Sequence, residues 1–212
     1  MRQRKSKIIL IYFLLLIILG SINNSSLSKI KFDKVKKIYI HGLNHSDNQI
    51  ILNNIKNLNL ESIFFLDGNA ISKVINANAL VEKYKVFKKY PSSIDIDIKK
   101  TNLLANINKN GSTFIIGSNG KLIKNNLSKN DIPFIFGNPN TSEFLSFKEI
   151  IDDSNISFNQ IKYFYFFKSK RWDIVLSNDI LIKLSENNIK DSLNNAHEFL
   201  NNVNFKNIKV ID

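Results

Sequence analysis

Two histidines four residues apart, His41 and His45, are the first side chains in this sequence with metal-ligand spacing. On one helix face that spacing suits zinc. Here they flank Gly42, where an alternating stretch gives way to a helical one, and only Asp47 adds a carboxylate nearby. They read as a surface loop. Asp95 and Asp97 could serve as paired carboxylates for acid–base work. A spacing of two puts both on one strand face, opposite Ile94, Ile96 and Ile98, so they read as the polar face of a half-buried sheet. Asp152-Asp153 reads as a helix end, and His197 beside Glu198 as the solvated side of an amphipathic helix. Neither carboxylate pair has a His or Lys placed as its acid–base partner. No G-x-S-x-G, H-E-x-x-H, P-loop or G-x-G-x-x-G motif occurs. With no cysteine in the chain, disulfides, thiol catalysis and thiolate metal sites are excluded. The residues assign no catalytic, metal or cofactor site and imply no small-molecule substrate.

The net charge of +12 suggests nucleic acid or anionic lipid. Yet Arg2, Arg4 and Arg171 are the only arginines, and the lysines are spread along the chain. Readers of nucleic acid favour the arginine fork for bases and phosphates. The abundance of Lys, Asn and Ile is that of A/T-rich codons, which yields this charge without a selected nucleic-acid partner.

The elements begin with Arg2, Arg4, Lys5 and Lys7, followed by an unbroken apolar run from Ile8 to Leu19. Basic residues before such a run predict a membrane helix with a cytoplasmic N-terminus. A helix from Ser6 to Ile22 spans roughly 25 Å at ~1.5 Å per residue, against a hydrocarbon core of ~30 Å, so Lys5 and Lys7 must snorkel. A cleaved signal peptide is the competing reading, but no Ala-x-Ala site follows. The expected division is a cytoplasmic tail over 1–7, a membrane helix over 8–22, and two exported modules over 35–101 and 102–212.

The first module reads strand, helix, helix, strand, strand. Lys37 to Ile40 alternates; Ser46 can cap a helix carrying Ile50, Ile51, Ile55 and Leu58; Asn69 can cap a second with Ile71, Val74 and Ile75. Leu80 to Lys88 reads as a strand, broken at Tyr90-Pro91. The alternating Ile94-Asp95-Ile96-Asp97-Ile98 follows. The second module reads as a β-meander with flanking helices. Asn110-Gly111 and Asn119-Gly120 predict type I′ hairpins. Asp131 to Gly137 reads as an irregular connection because it contains Pro133. A helix is predicted from Ser142 to about Asp153 with Phe144, Leu145, Ile150 and Ile151 inward, and another from Asp191 to Asn202 with Leu193, Ala196, Phe199 and Leu200 inward. Ile161 to Phe167 is a strand; Trp172 to Leu176 and Ile180 to Leu184 form a hairpin; Asn207 to Ile211 is a last short strand. Trp172, the only tryptophan, reads as a core aromatic, with Arg171 placed to stack or pair locally. The class is α+β, with the second module mostly antiparallel.

In their order, these features resemble the FtsQ/DivIB cell-division proteins. In the first module the resemblance rests on Ile38-Tyr39-Ile40-His41-Gly42 and on Phe87-Lys88-Lys89-Tyr90-Pro91 running into the alternating strand. In the second it rests on Ile132-Pro133 with Gly137, and on Lys170-Arg171-Trp172-Asp173 followed by Ile182-Lys183-Leu184. Lys100 and Leu103 depart from the family's acidic residue and proline, and Asp179 stands at its turn glycine. The resemblance implies a membrane helix, a POTRA domain and a β domain, without cofactors. It implies a non-catalytic scaffold in the inner membrane at the division septum that binds FtsB/FtsL-like partners. The family continues past the position of Asp212 into a final strand that carries much of the FtsB contact. The segment Ile208, Lys209, Val210 and Ile211 is therefore expected to be the partner edge here, unless that edge is absent. A second candidate edge is the strand bearing Lys83 and Lys85, since lysines guard exposed edges against wrong pairing. A POTRA component of another export or assembly system is the alternative, and it would be expected to bring several POTRA repeats or a β-barrel.

Overall fold

The computed structural model describes residues 2–22, 33–124, 132–201 and 208–212. Helix α1 (Arg2–Ile22) holds the apolar run. From Ile8 to Leu19 every side chain is exposed, so no face of this helix is covered by protein. Among the described residues, no helix is long and apolar enough to cross a membrane; the side chains described on α1 run only from Lys7 to Ser21.

The first module follows the predicted order: β1 (Lys37–His41), α2 (His45–Lys56), a 3₁₀ turn (Ile63–Phe65), α3 (Gly68–Ala77), β2 (Val81–Lys89) and β3 (Ser93–Lys100). Its sheet has the order β1-β3-β2, with β1 parallel and β2 antiparallel to the central β3. Ile94, Ile96 and Ile98 pack on Ile51 and Ile55 of α2 and on Ile71 and Ile75 of α3. Both helices start earlier than predicted. Asn44, not Ser46, caps α2 by accepting from the Asp47 N–H at 2.8 Å. Asp67, not Asn69, caps α3 by accepting from the N–H groups of Asn69 and Ala70. In each case the acceptor nearer the chain start satisfies the orphan donors of the first turn. Ile50 does not join the core and is 52% exposed, because Ile51 and Ile55 already fill the buried stripe.

The second module contains β4 (Leu103–Lys109), β5 (Ser112–Gly117), β6 (Leu122–Lys124), β7 (Phe134–Phe136), α4 (Thr141–Asp152), β8 (Ile161–Phe166), β9 (Trp172–Leu176), β10 (Leu181–Lys183), α5 (Ile189–Asn201) and β11 (Val210–Ile211). Its sheet order is β11-β10-β9-β8-β7-β4-β5-β6. This is not a meander, since β7 pairs in parallel with both β4 and β8, and β11 in parallel with β10. The supposed irregular connection is therefore the middle of the sheet. Pro133 stands just before the ladder, where its missing N–H does no harm, and its carbonyl accepts from the Asn106 N–H at 2.8 Å. Asp131 and Asn207 lie outside the described residues.

Asn110 and Gly111 both take positive φ, as a type I′ turn needs. At Asn119-Gly120 only the glycine does. The Gly120 N–H donates to Gly117, and the Gly117 N–H donates to Lys121, giving a three-residue loop. Asp179, at φ +62°, carries the bend at the end of β9.

The core of this module is aromatic. Trp172 is 4% exposed and stacks on Phe147 of α4, with ring centroids 4.6 Å apart and planes 7° from parallel. Phe144, Phe164 and Phe166 close around it. Leu193 and Ala196 of α5 are fully buried, but Phe199 is 46% exposed and does not point inward as predicted.

Only Thr101 and Asn102 separate β3 from β4. This junction is clasped by polar contacts that the sequence reading did not identify. The Thr101 and Ser118 hydroxyls both donate to the Glu82 carboxylate, at 2.9 and 2.8 Å. The Asn119 amide donates to the carbonyls of Ala79 and Val81. Lys121 reaches the Asn76 carbonyl at 2.6 Å.

Candidate functional site

The candidate site is an edge. The eight-stranded sheet ends at β11 on one side and β6 on the other; the three-stranded sheet ends at β1 and β2. Strand β11 is held by pairing of Val210 with Leu181 and of Ile211 with Ile182. The Leu181 N–H donates to the Lys209 carbonyl at 3.0 Å. Along a strand the backbone groups turn alternately to either side. With Lys209 facing β10, the N–H and C=O of Val210 face the open side. The Val210 side chain is 50% exposed, whereas Ile211 packs against the core.

Beside this edge lies a groove of about 460 Å³ between β10, β11 and α5, lined in part by Ile182, Leu184, Ala196, Phe199 and Ile211. The exposed part of Phe199 belongs to this groove. Lys183 closes one end, donating to Asp212 at 2.6 Å and holding that carboxyl below the usual carboxylate range.

Arg171 and Asp173 support the edge from behind. Asp173 is 3% exposed, and its carboxylate takes the Arg171 guanidinium on both oxygens, at 3.2 and 3.3 Å. It also accepts from the Leu184 N–H at 3.4 Å. The Arg171 guanidinium lies over the Phe167 ring, 4.7 Å from its centroid. The Arg-Trp-Asp run is thus structural: it joins the start of β9 to the end of β10, the strand on which β11 rests.

Lys83 and Lys85 lie on β2, the outer strand of the first sheet, and both are exposed. Their side chains share the open face with Asp95 and Asp97, and Lys85 sits opposite Asp97. The edges at β2 and β11 belong to different sheets, so the six predicted residues do not form one site.

The two histidines stand on different elements. His41 ends β1 and faces Asp95 at 3.4 Å, while His45 opens α2. Among the described residues no three His, Cys, Asp or Glu side chains come together as a metal site. Asp152 pairs with Lys148 at 2.5 Å, and His197 with Asn201 at 2.8 Å.

The Asp95 carboxyl is held below its ordinary range, first by its hydrogen bond with Lys89 and against partial burial. A depressed carboxylate stabilises the fold above its unfolded value, near 4, and that contribution is lost as pH falls through the lower folded value. Asp95→Asn is therefore expected to lower the melting temperature of the first module slightly at pH 7. The gap from wild type should close at an acid pH below that lowered value, where the native carboxyl is protonated too. Thermal melts by circular dichroism at the two pH values check this; a gap independent of pH would remove the ion pair as its cause.

The model of the FtsQ-type POTRA domain matches residues 33–100. That of the C-terminal part of cell division protein FtsQ/DivIB matches residues 105–212. No curated protein matches the chain. Among solved structures, the major extracytoplasmic domain of the trans isomer of the cell division protein DivIB from Geobacillus stearothermophilus is similar at 11% identity and a TM-score of 0.35. That alignment covers 45% of this chain and 87% of the other. The two family matches together span both folded modules, the second alone more than half of the sequence, and the chain belongs to the FtsQ/DivIB family of cell-division proteins.

Proposed function

We propose that this chain is a non-catalytic scaffold of the division septum, and that it binds FtsB/FtsL-like partners by adding their strand to β11. The observation that carries the reading is the one-sided pairing of β11, with the Val210 N–H and C=O turned outward beside the groove at Phe199. Strand addition takes its affinity from backbone hydrogen bonds and its register from alternate side chains in flanking pockets. An incoming strand would find both here. The edge at β2, with Lys83 and Lys85, is the second place where a partner strand could add.

Helix α1 supports an inner-membrane location, with the N-terminus cytoplasmic and both modules periplasmic. From Ser6 to Ile22 the helix reaches roughly 25 Å at ~1.5 Å per residue, so that spanning the ~30 Å hydrocarbon core requires Lys5 and Lys7 to snorkel. Its apolar side chains are exposed all round, and its basic residues are gathered at the first turns. The match of the second module to the FtsQ/DivIB C-terminal part favours this reading over a POTRA component of another assembly system.

The test is Val210→Pro in the full chain, with the FtsB-like partner titrated in nanodiscs. Proline removes the outward N–H while leaving the Leu181 to Lys209 bond in place. Affinity is expected to fall at least about tenfold, or ~1.4 kcal/mol, with an unchanged circular dichroism melt. Unchanged affinity would move the binding site away from β11, to one of the other open edges at β2, β1 or β6.

A further inference from the structure

Three exposed aromatic side chains gather at one pole of the first module. Phe64, Phe65 and Tyr90 are 52%, 68% and 62% exposed, and the rings of Phe64 and Tyr90 lie 5.2 Å apart. The fold holds them outward. Ile63, fully buried, pins the 3₁₀ turn from beneath, and the Ser62 hydroxyl accepts from the Phe64 N–H at 3.2 Å.

Residues 34–36 pass between the two loops that carry these rings. Lys34 bridges to Ser62, and the Val35 N–H donates to the Glu61 carbonyl at 3.1 Å. The Lys36 N–H then donates to the Ser92 carbonyl at 2.8 Å. The same pole carries Lys34, Lys36, Lys37, Lys88 and Lys89. Its acidic groups are Asp33, paired with Lys36; Asp95, paired with Lys89; Asp67, which caps α3; and Glu61, so the lysines outnumber them by one. The second module is attached at the other end of β3, through the Glu82 clasp.

We propose that this pole rests on the membrane that α1 anchors, with Phe64, Phe65 and Tyr90 at the boundary of headgroups and acyl chains and the lysines against lipid phosphates. The proposal builds on the anchoring of α1. Aromatic rings favour that boundary, where apolar surface is buried while a polar rim stays wet. Cationic side chains beside them add attraction to anionic lipid. Alone, so small a patch binds membranes weakly. The segment between Ile22 and Lys34 reaches at most ~40 Å when fully extended, which keeps the patch at high effective concentration near the surface. Docking here sets the orientation of the molecule. The first module lies on the bilayer and the second, joined at the opposite pole, projects away, so that the β11 edge is offered to partners at a fixed height.

The native chain has no cysteine, so single labels are unique. An environment-sensitive fluorophore at Glu61→Cys in the full chain, in vesicles of phosphatidylethanolamine and phosphatidylglycerol with a headgroup-proximal nitroxide lipid, reports docking. Labels at Leu15→Cys, read with an acyl-chain nitroxide lipid in place of the headgroup-proximal one, and at Lys168→Cys, an exposed site in the second module, report the anchor and the background. The expected result is quenching at position 61 severalfold above that at 168, lost when Phe64, Phe65 and Tyr90 are all changed to serine. If the triple variant melts abnormally, Phe65→Ser alone takes its place and should weaken the quenching. Quenching at 15 with position 61 no different from 168 overturns the docking while leaving the anchor intact. No quenching at 15 removes the anchor reading and the docking with it. Quenching at 61 that survives loss of the aromatic rings overturns their assigned role.

Discussion

Phe147→Ala should destabilise the second module by about 3–5 kcal/mol, the usual range for truncating a buried phenylalanine to alanine. Phe147 is 2% exposed and stacks flat on Trp172, and its ring stands T-shaped to that of Phe164, with centroids 5.9 Å apart. Deleting the ring removes its transfer free energy and leaves a cavity. The neighbours cannot readily refill it, because Phe144 and Phe164 are themselves fully buried against other partners. The effect should pass to the function, since Trp172 begins the strand that supports β10 and, through it, β11. Trp172 is the only tryptophan, so urea unfolding followed by its emission reports this module directly. The folded-state emission should also shift to the red as water reaches the indole. A change below about 1 kcal/mol, typical of ordinary surface substitutions, would contradict the keystone role of this stack.

Gly42→Ala should act as strongly, but on the first module. Gly42 sits at φ +107°, in a region that side-chain-bearing residues rarely enter. Such strain costs on the order of 1–3 kcal/mol. Space is the second obstacle: a Cβ there would lie 1.7 Å from the carbonyl oxygen of Ile98. Ile98 belongs to the central strand, so relief requires moving either β3 or the turn that leads into α2. The melt of the first module should drop well below wild type while Trp172 emission in the folded state stays unchanged. Loss of both signals together would mean that the Glu82 clasp couples the two modules into one folding unit.

The elements that depend on local pattern were legible in the sequence. The isoleucines of β3 alternate because one face is buried, and the structure buries all three. The resemblance to the family through Ile38-Tyr39-Ile40-His41-Gly42 has a physical counterpart in the crowding at Gly42. Gly137 explains the Ile-Pro-x-x-x-Gly segment in the same way, since a Cβ there would meet the Phe166 carbonyl at 2.2 Å. What failed to show was decided at long range. Phe134–Phe136 becomes a central strand only because β4 and β8, far apart in sequence, accept it in parallel register. Periodicity put Phe199 inward with Leu200, but only Leu200 packs against the core, and Phe199 lines the groove by β11. The inward role of Phe147 was missed, although it lies three residues after Phe144 on the same apolar stripe. Nothing local marks Glu82 as the junction acceptor, because its donors at Thr101 and Ser118 arrive from the second module. The short last strand was legible near Ile208 to Ile211, and it lies at the end of the sheet, whereas the groove beside it and the Arg171–Asp173 support emerged only from the packed structure.

The most direct test of the scaffold reading is position in the cell. A fluorescent protein fused to the N-terminus, with the fusion as the only copy in its native cell, should form a sharp band at midcell in constricting cells. Uniform fluorescence around the envelope, with the fusion intact and abundant, would contradict a role at the division septum.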